Sequence, residues 1–516
     1  MRSYLSDKKV LVLSVFAAGL CSLVYELLVS TTAAYFLGDS VRQFSITIGL
    51  YLAAMGLGSY LSRLVRTDLL RAFIAVEGLL GVVGGLSVPL LYLVYSATDL
   101  FWPAVALLIL AIGALTGLEI PLLTRILERG EVGDGLDVNL SNVLAFDYLG
   151  ALMATLAFPF VLLPLLGTFR AALVLGLVNL GVGALCLWWF RDTLRAPVRR
   201  RGYAFVGAAA VGLGLLLGAA GTLTSSWSDS IYEDRVVYRE QSRYQRIVMT
   251  RYRSDLRLFL NGNLQFSSRD EHRYHEALVH VPLRQVERPR RVLILGGGDG
   301  LAAREVLKHE AVEHVTVADL DPAVFELGRT HPTLTRLNAR SLHSPRVETV
   351  ARDAFVFLEN AKPRYDVILA DLPDPNDVSL ARLYSRSFYR LVRSALASDG
   401  VFVTQATSPY FAKKAFWTIR QTVASAGFAH VYPYHASVPS FGEWGFVMAS
   451  LRRPLRPTAS ADAPLEVSTR FLTADLLPSL FAFPKALAAP AERLTPSTLD
   501  RPRVLNRYLD GWRHWG

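Results

Sequence analysis

Two aspartates stand three residues apart at the end of an apolar run, in the stretch "ILADLPDPND" that contains Asp371 and Asp374. Carboxylates grouped in this way attract cationic groups such as amines. Three further aspartates also close apolar runs: Asp299, Asp319 and Asp353. Ligands of open α/β sheets bind at the carboxyl ends of the strands, so we expect all five side chains at one crevice. That crevice would attract amines and repel phosphates, although any single aspartate could instead cap a loop or a helix.

The stretch "VLILGGGDGLAAREVL" joins an apolar run to a glycine turn that includes Gly296 and Gly298. A strand that enters such a turn and leaves as a helix lets the backbone approach a nucleoside closely. Asp319 stands about twenty residues downstream, where an acidic side chain can accept both ribose hydroxyls. Asp321, which precedes Pro322, fits a helix cap better. The turn alone does not separate enzymes that use NAD from enzymes that use S-adenosylmethionine.

The elements that must position these residues follow an alternating pattern over residues 289–455. Strand-like runs are separated by helical patterns, and the runs are "RVLILGGGDG", "HVTVADLD", "VETVARD", "YDVILADLPDP" and "GVFVTQATS". This alternation predicts a parallel sheet with crossover helices, a Rossmann-like α/β domain of the methyltransferase type.

The segments on either side of this domain differ from it. Residues 226–288 contain runs rich in Val, Ile, Tyr and Phe that fold back at Asn261-Gly262, which predicts a small β-strand domain with a hairpin. Residues 456–516 form a C-terminal extension rich in Pro and Ala. Its first part, "RPTASADAP" (456–464), is linker-like, and we assign the extension no chemistry.

The first 225 residues are much more apolar than the rest. The chain has 516 residues, of which 52% are hydrophobic and 19% charged, and its mean hydropathy is +0.31. This composition is too apolar for a wholly soluble protein. Seven stretches approach the ~20 residues that a bilayer-spanning helix needs: residues 10–34, 44–62, 72–95, 102–124, 144–166, 169–190 and 203–223. We therefore predict a multi-pass transmembrane domain over residues 1–225, in contact with the lipid bilayer of the cell (inner) membrane.

Basic residues cluster on one side of these predicted spans: Arg2, Lys8, Lys9, Arg63, Arg66, Arg71, Arg125, Arg129, Arg191, Arg195 and Arg199 to Arg201. By the positive-inside rule this side, with the N-terminus, is cytoplasmic. Seven spans would then place the remaining half on the outer face, which conflicts with a cytoplasmic substrate, so the sequence leaves the side of the catalytic half open. The net charge is +10, but the clustered basic residues lie beside apolar runs, so this charge does not indicate nucleic-acid binding.

Acidic residues interrupt the predicted spans at four places: Glu26, Glu77, Glu119 and Asp147. A carboxylate in lipid is costly, so such residues face the interior of a helix bundle or a polar cavity. They could hydrogen bond between helices, or line a cavity that binds a cation such as a polyamine. The two cysteines, Cys21 and Cys186, also lie in apolar runs and are interpreted as small hydrophobic residues.

Several of these motifs, in this order, resemble those of the polyamine aminopropyltransferases, the spermidine synthases. That family reads LDG-x-x-Q-x-x-x-x-DE-x-x-YHE, then GGGDG, then D-x-x-DP. The matching residues here are "YQ" (244–245), "LNGNLQFSSRDEHRYHE" (260–276), "VLILGGGDG", "ARDA" (351–354), "DLPDP" and "VPSFGEWGF" (438–446). The resemblance covers residues 230–450. The whole chain resembles the membrane-fused bacterial members, in which a multi-span domain precedes the synthase.

The resemblance implies an enzyme that transfers the aminopropyl group of decarboxylated S-adenosylmethionine to putrescine or a related amine and releases methylthioadenosine. It implies a co-substrate and no resident cofactor or metal. It makes Asp371 the proton acceptor and Asp374 a polyamine-holding residue. The other polyamine or aminopropyl positions are His275, Asp299, Tyr274 and Gln265. The nucleoside positions are Gln245, Asp319, Asp353 and Ala354, with Gly296 and Gly298 of the turn.

The implied roles agree with the chemistry of the residues. Decarboxylation leaves a co-substrate that carries an ammonium and a sulfonium but no carboxylate, so Asp299 can select it over the ordinary methyl donor. The sulfonium is already a good leaving group. What remains is to deprotonate an amine of pKa ~10 and align it for attack.

The sequence departs from the family pattern at several positions. Arg352-Asp353-Ala354 replaces Gly-Asp-Gly, and Asp319 stands where Glu is common. Asn376-Asp377-Val378 follows the acid pair, and Phe441 replaces a late Tyr. The lost hydroxyl bears on the acceptor amine, for which putrescine is the first choice and spermidine or a diamine analogue the second. Because soluble relatives are usually dimers or tetramers, a homodimer or homotetramer is expected.

Three functions of other classes remain as alternatives. An S-adenosylmethionine-dependent methyltransferase shares the fold and the turn but does not need "YHE" or the acid pair. A NAD-dependent oxidoreductase shares the turn. A transporter whose soluble half senses polyamines would bind the amine without turning it over.

Overall fold

The computed structural model describes residues 2–37, 40–98, 100–128, 136–230, 232, 234–361, 365–452, 454–455, 465 and 467–513, with the backbone alone at residues 2–6, 40, 136–137 and 225–230. The chain divides into two compact units, Met1–Glu233 and Asp234–Gly516. Arg129 and the linker-like run 456–464 lie outside the described residues.

The first unit consists of long apolar helices. They are α1 Arg2–Leu37, α2 Ser40–Leu61, α3 Leu69–Ala97, α4 Phe101–Glu128, α5 Leu136–Ala157, α6 Leu163–Trp189 and α7 Ala196–Ser230. Within the described residues, six helical stretches are long and apolar enough to cross a membrane. Seven runs were predicted, but the runs 144–166 and 169–190 fall in one stretch of 52 residues, Val138–Trp189, which contains the π-helical turn Phe158–Leu162. That stretch bends at Gly167, whose φ of 68° is not helical.

Glycines let the helices of this unit pack closely. A Cβ at Gly58 of α2 would lie 2.0 Å from the carbonyl oxygen of Ala114 of α4, and one at Gly117 of α4 would lie 2.1 Å from that of Met55. Side chains at these two positions would therefore force α2 and α4 apart. Small residues at helix crossings are typical of helix bundles in apolar surroundings.

Four antiparallel strands open the second unit: β1 Arg235–Gln241, β2 Arg246–Tyr252, β3 Asp255–Leu260 and β4 Asn263–Ser267. The predicted hairpin is confirmed, since β3 pairs with β4 across Asn261 and Gly262. Both turn residues have positive φ, 50° and 82°, which is the geometry that an Asn-Gly turn favours.

The second sheet has seven strands in the order β10-β11-β9-β8-β5-β6-β7. They are β5 Arg291–Gly296, β6 His314–Asp319, β7 Val347–Ala351, β8 Tyr365–Asp371, β9 Leu396–Gln405, β10 His430–Val438 and β11 Gly442–Ser450. Strands β5 to β9 pair in parallel, whereas β10 and β11 are antiparallel. The predicted Rossmann-like alternation is confirmed by this sheet. Strand β5, in the middle of the five parallel strands, is buried on both faces, as its apolar run requires.

Short helices connect these strands and cover the sheet: α8 Glu271–Leu283, α9 Leu301–Val306, α10 Pro322–Thr330, α11 Pro332–Leu337, α12 Ala354–Glu359, α13 Val378–Ala381, α14 Arg386–Ala395, α15 Lys413–Ser425 and α16 Arg503–Trp512. The small sheet shares a core with this layer, because Met249 and Leu258 pack with Leu301 and Leu327. The two sheets therefore belong to one unit.

The C-terminal extension also packs on the α/β layer. Leu477 and Leu480 belong to the hydrophobic cluster that packs on one face of the seven-stranded sheet. Val504 and Leu505 of α16 belong to the hydrophobic cluster on the other face. Its described part, residues 467–513, is thus part of the fold of the second unit.

Candidate active site

The carboxyl ends of the parallel strands bring the predicted acids to one edge of the sheet. Asp371 ends β8 directly beside Gly296, the last residue of β5, and Asp319 ends β6 on the other side of β5. Asp299 follows in the turn after β5, and Asp374 lies three residues beyond β8. All four carboxylates are partly exposed, so they line an open crevice.

The glycine turn is shaped by the acids around it. Gly296 has φ of 85°, and a Cβ there would lie 1.9 Å from the carbonyl oxygen of Asp371. At Gly298 a Cβ would lie 2.9 Å from Oδ2 of Asp319. Gly296 is therefore required both for its backbone conformation and for space, whereas a side chain at Gly298 would displace the Asp319 carboxylate.

Tyr274 of α8 reaches Asp371 across the sheet. Its hydroxyl donates to Oδ1 of Asp371 at 2.6 Å. Burial, followed by the charge of Asp371, raises the pKa of Tyr274 well above its usual range. The phenol therefore remains a neutral donor, and it fixes the direction of the carboxylate.

His275, the next residue on α8, is held by a buried ion-pair network. Its Nδ1 lies 2.8 Å from Oε2 of Glu271, and Arg304 donates two hydrogen bonds of 2.9 Å to the same carboxylate. Burial alone would lower the pKa of His275, but the hydrogen bond and charge of Glu271 raise it to about 9. Burial alone would raise the pKa of Glu271, and its two partners lower it to about 2. His275 is therefore a cation at neutral pH.

The His275 cation faces two of the acids. Its charge interacts with those of Asp299 and Asp371. Burial raises the pKa of Asp299 to about 6, although His275 and the hydrogen bond from the Leu301 backbone act against the shift. Asp299 is ionised at neutral pH and has an oxygen left for a ligand.

Asp374 is surrounded by neutral donors. Gln405 Nε2 donates to its Oδ1 at 3.2 Å and Thr407 Oγ1 to its Oδ2 at 3.2 Å. Burial raises the pKa of Asp374 to about 6, although Gln405, the Tyr508 hydroxyl and Thr407 counteract it. Thr407 has φ of 57°, an uncommon conformation for a β-branched residue. Backbone strain of this kind is concentrated at functional sites.

Tyr508 was not predicted from the sequence, and neither were Gln405 and Thr407 beside Asp374 or Glu271 and Arg304 beside His275. Tyr508 lies on α16 in the C-terminal extension, and its hydroxyl hydrogen bonds to Asp374. No spacing or motif connects the two residues. The one available signal is the helical run "RVLNRYLDGW", whose apolar face predicts a docked helix.

Glu276, the last residue of "YHE", holds the same extension in place. Its carboxylate accepts hydrogen bonds from the backbone N–H groups of Arg470, Phe471 and Leu472, at 2.6 to 2.9 Å. The motif therefore points two ways, with Tyr274 and His275 toward the acids and Glu276 toward the extension.

The predicted nucleoside positions lie around Asp319. Its two oxygens accept from the backbone N–H groups of Gly298 and Asp321, each at 3.0 Å. Burial raises its pKa, while these two hydrogen bonds lower it. Gln245 donates from Nε2 to Asp321 at 3.0 Å, and Asp321 caps α10 as predicted. Gln245 and Asp319 therefore both hydrogen bond to Asp321.

Asp353 has the helix-cap geometry that was the alternative for each acid. Its Oδ1 accepts from the backbone of Phe355 and Val356 at the start of α12, and its Oδ2 pairs with Arg382. Ala354 is buried beside it. Both oxygens of Asp353 are therefore engaged within the protein.

The described hydrogen bond of Gln265 is made within strand β4 and not to the acids of the crevice. Its Nε2 donates to the carbonyl oxygen of Asn263 at 3.0 Å, within the same strand. Phe441, where the family has Tyr, lies edge-on to Tyr274 with ring centroids 6.3 Å apart. Asp270 holds this loop by accepting from the backbone and hydroxyl of Ser440.

Comparisons with known proteins place this site in context. Residues 271–456 match the family described as the spermine/spermidine synthase domain. Polyamine aminopropyltransferase 2 of Ralstonia nicotianae is 44% identical over 97% of this chain and 98% of the relative. The polyamine aminopropyltransferase of Leptospira interrogans is 42% identical over 97% of this chain and 99% of the relative. A solved spermidine synthase in complex with the transition-state analogue AdoDATO is 28% identical, with a TM-score of 0.45, over 49% of this chain and 88% of that chain.

Proposed function

Because the chain belongs to the family of polyamine aminopropyltransferases, which includes the spermidine synthases, we propose that its acidic crevice makes spermidine from putrescine. The enzyme is an aminopropyltransferase, and its co-substrate is decarboxylated S-adenosylmethionine. The acceptor amine and the role of each residue are part of the proposal. The observation that carries it is the pair Asp371 and Asp374, each oriented by neutral donors on one crevice.

Asp371 takes the proton. The amine nitrogen of putrescine attacks the aminopropyl carbon bonded to the sulfonium, a C–N bond forms, the C–S bond breaks, and methylthioadenosine leaves as a neutral thioether. The proton of the attacking amine passes to the carboxylate of Asp371. Tyr274 keeps that carboxylate pointed at the amine. Alignment supplies most of the rate, and the base adds on the order of 10²- to 10⁴-fold.

Asp374 binds the far ammonium of putrescine. Its oxygens already accept from Gln405, Thr407 and Tyr508, which are neutral groups, so its charge is available to a cation. Tyr508 supplies a hydroxyl on this side of the site, where Phe441 lacks the one usual in the family. We therefore assign Tyr508 a place in the acceptor subsite.

Asp299 receives the ammonium of the co-substrate. The ordinary methyl donor carries a carboxylate at this end, which Asp299 would repel. The His275 cation faces Asp299 and Asp371 and would itself repel an ammonium. His275 is therefore assigned to holding these two acids, and not to direct contact with the polyamine. Gln265 stays a predicted pocket residue, since its described hydrogen bond to the carbonyl oxygen of Asn263 uses only one of its amide N–H groups.

The nucleoside lies over the glycine turn. Asp319 accepts the ribose hydroxyls, with Gly296 and Gly298 allowing the backbone to approach and Gln245 beside it. Asp353 and Ala354 form the start of α12 at the adenine end, where Asp353 acts through the backbone it caps.

Incubation of the full-length protein with decarboxylated S-adenosylmethionine and putrescine tests the reaction. Mass spectrometry should find spermidine and methylthioadenosine in equal amounts, and spermidine offered as acceptor should react more slowly. S-adenosylhomocysteine formed from the ordinary methyl donor would indicate a methyltransferase instead. Binding of putrescine without any product would indicate a sensor.

The apolar unit is embedded in a membrane in this proposal. Large side chains such as Leu107, Phe160 and Leu215 are exposed on it, and an apolar surface of this kind needs lipid. A straight 52-residue helix would be about 78 Å long, more than twice the ~30 Å of a bilayer core, so the bend at Gly167 makes two crossings of the stretch. Retention in the membrane fraction after alkaline carbonate washing is the expected result, and release into the supernatant would contradict it.

A further inference from the structure

Four carboxylates lie within the apolar unit, each on a different helix: Glu26 on α1, Glu77 on α3, Glu119 on α4 and Asp147 on α5. Glu26, Glu77 and Glu119 are 7%, 0% and 2% exposed. Glu119 is near enough to Glu77 and Asp147 for their charges to interact, and Glu26 and Glu119 both act on Tyr51. Glu119 thus links Glu77 and Asp147, Tyr51 links Glu119 to Glu26, and we call these four carboxylates the acid cluster.

No protein cation balances the acid cluster among the described residues. None of its four members forms an ion pair with a described lysine, arginine or histidine. Arg125, on the same helix as Glu119, instead donates to the carbonyl oxygens of Ser62 and Val65. Several like charges without a counterion are strongly unfavourable in apolar surroundings.

A hydrogen-bond chain fixes the direction of Glu77. The hydroxyl of Tyr25 donates to Oδ1 of Asn179 at 3.0 Å, and Nδ2 of Asn179 donates to Oε2 of Glu77 at 2.8 Å. Asn179 is fully buried. Because Tyr25 fixes which way the amide points, Glu77 is held with one oxygen occupied and the other free.

That free oxygen and one on Glu119 have no partner. Oε1 of Glu77 and Oε1 of Glu119 are both buried without a hydrogen bond. Buried polar atoms are normally paired, so an external donor is the simplest way to satisfy both oxygens.

We propose that the acid cluster is a second binding site for a polyamine, whose ammonium group donates to Glu77 and Glu119. A primary ammonium has three donors and one charge, which suits two carboxylate oxygens that lack partners. Within the part of the chain that the structure describes, no group of three or more His, Cys, Asp or Glu side chains is arranged to hold a metal ion. The choice of a polyamine rests on the proposed function, because the second unit makes and consumes that class of cation.

Equilibrium binding of radiolabelled spermidine to the full-length protein in lipid nanodiscs tests this site. Wild type should bind two spermidine molecules per chain, one at each site. Asp374→Asn should weaken the crevice site and retain the other. Glu77→Gln combined with Glu119→Gln should weaken the membrane-unit site at least tenfold, while spermidine synthesis stays within twofold of wild type.

Two further variants separate a binding role from a structural one. Asp192→Asn changes an exposed carboxylate of the same unit and should leave both sites intact. Tyr25→Phe keeps all four acids but releases Asn179, and should weaken only the membrane-unit site. A single spermidine per wild-type chain, or two sites that survive the Glu77 and Glu119 changes, would overturn the proposal. Displacement of the spermidine by millimolar sodium would also overturn it in favour of an inorganic cation.

The two proposals can fail separately. A protein that forms no methylthioadenosine, yet loses one spermidine site on Glu77→Gln, would contradict the proposed reaction and support the acid cluster as a site.

Discussion

The hydroxyl of Tyr274 donates to Oδ1 of Asp371 at 2.6 Å, joining residues 97 positions apart in the chain. This contact sets the direction of the proposed base before any substrate binds. It also gives the "YHE" motif a physical meaning, since its tyrosine reaches the acid pair from the helix that precedes the sheet. The first prediction concerns this carboxylate.

Asp371→Asn should lower kcat by about 10²- to 10⁴-fold, because the amide cannot take the proton of the attacking amine. Methylthioadenosine should bind as tightly as to wild type, measured by calorimetry, because the nucleoside contacts lie elsewhere. Asp399→Asn, at an exposed position of strand β9 in the same domain, is the matched control and should behave as wild type. Normal turnover in the Asp371 variant would remove this residue from its role.

Tyr508→Phe should raise KM for putrescine by about five- to tenfold and leave KM for the nucleoside co-substrate unchanged. The change removes one hydrogen bond to Asp374, for which ~1 kcal/mol or more is expected when the acceptor is charged. Steady-state kinetics with each substrate varied in turn measures the split. Tyr252→Phe, an exposed tyrosine, serves as the control. Equal effects on both KM values would show that the helix acts through stability alone.

Glu276→Gln should lower the melting temperature by several degrees. The new amide would place an N–H group against the backbone donors of residues 470–472, and a hydrogen bond to a charged acceptor is worth about 1.5–3 kcal/mol. The extension should then be cleaved faster by protease, which gel analysis would show. Glu287→Gln, on an exposed turn, is expected to change neither property.

The rate of aminopropyl transfer should fall as the pH drops through about 6. Burial raises the pKa of Asp374 and of Asp299 to about 6, so both lose their charge below that pH. Only the ionised forms bind ammonium groups, so kcat/KM for putrescine should decline on the acid side of pH 6. A pH profile checks this, and a decline centred near pH 4 would contradict it. Asp374→Asn should remove one of the two protonations from the profile.

Glu271→Gln should make the protein less stable at neutral pH and flatten its alkaline stability profile. In wild type the pKa of His275 is raised to about 9, so its contribution is complete below pH 6.5 and is lost as the pH rises through 9. That contribution is about 3 kcal/mol at most, from the size of the shift. Thermal melting from pH 6 to 10 measures it. Glu313→Gln, a largely exposed acid, should keep the wild-type profile.

Much of the second unit follows from local sequence. The glycine turn, the hairpin at Asn261 and Gly262, and the alternating strands depend on backbone conformation and short-range periodicity, which neighbouring residues determine. The placement of Asp371 and Asp319 at strand ends follows from the same pattern, because parallel strands share a carboxyl edge.

The helix count shows where local sequence is insufficient. Seven apolar runs are visible in the sequence, but the runs 144–166 and 169–190 fall in one helical stretch that continues past Gly167. Composition cannot distinguish a break from a bend, because Gly167 is compatible with either.

The acids of the sequence acquired their different roles only from the tertiary structure. Asp353 caps a helix and pairs with Arg382, whereas Asp374 is left to bind a cation, and both stand at the end of a strand. Tyr508 joins Asp374 from 134 positions away, and the C-terminal extension that carries it is low in motif content. The sequence by itself determined which chemistry is present, since residue types and strand ends are local properties. The fold decided which groups share an environment, because hydrogen bonds and burial depend on contacts between distant parts of the chain.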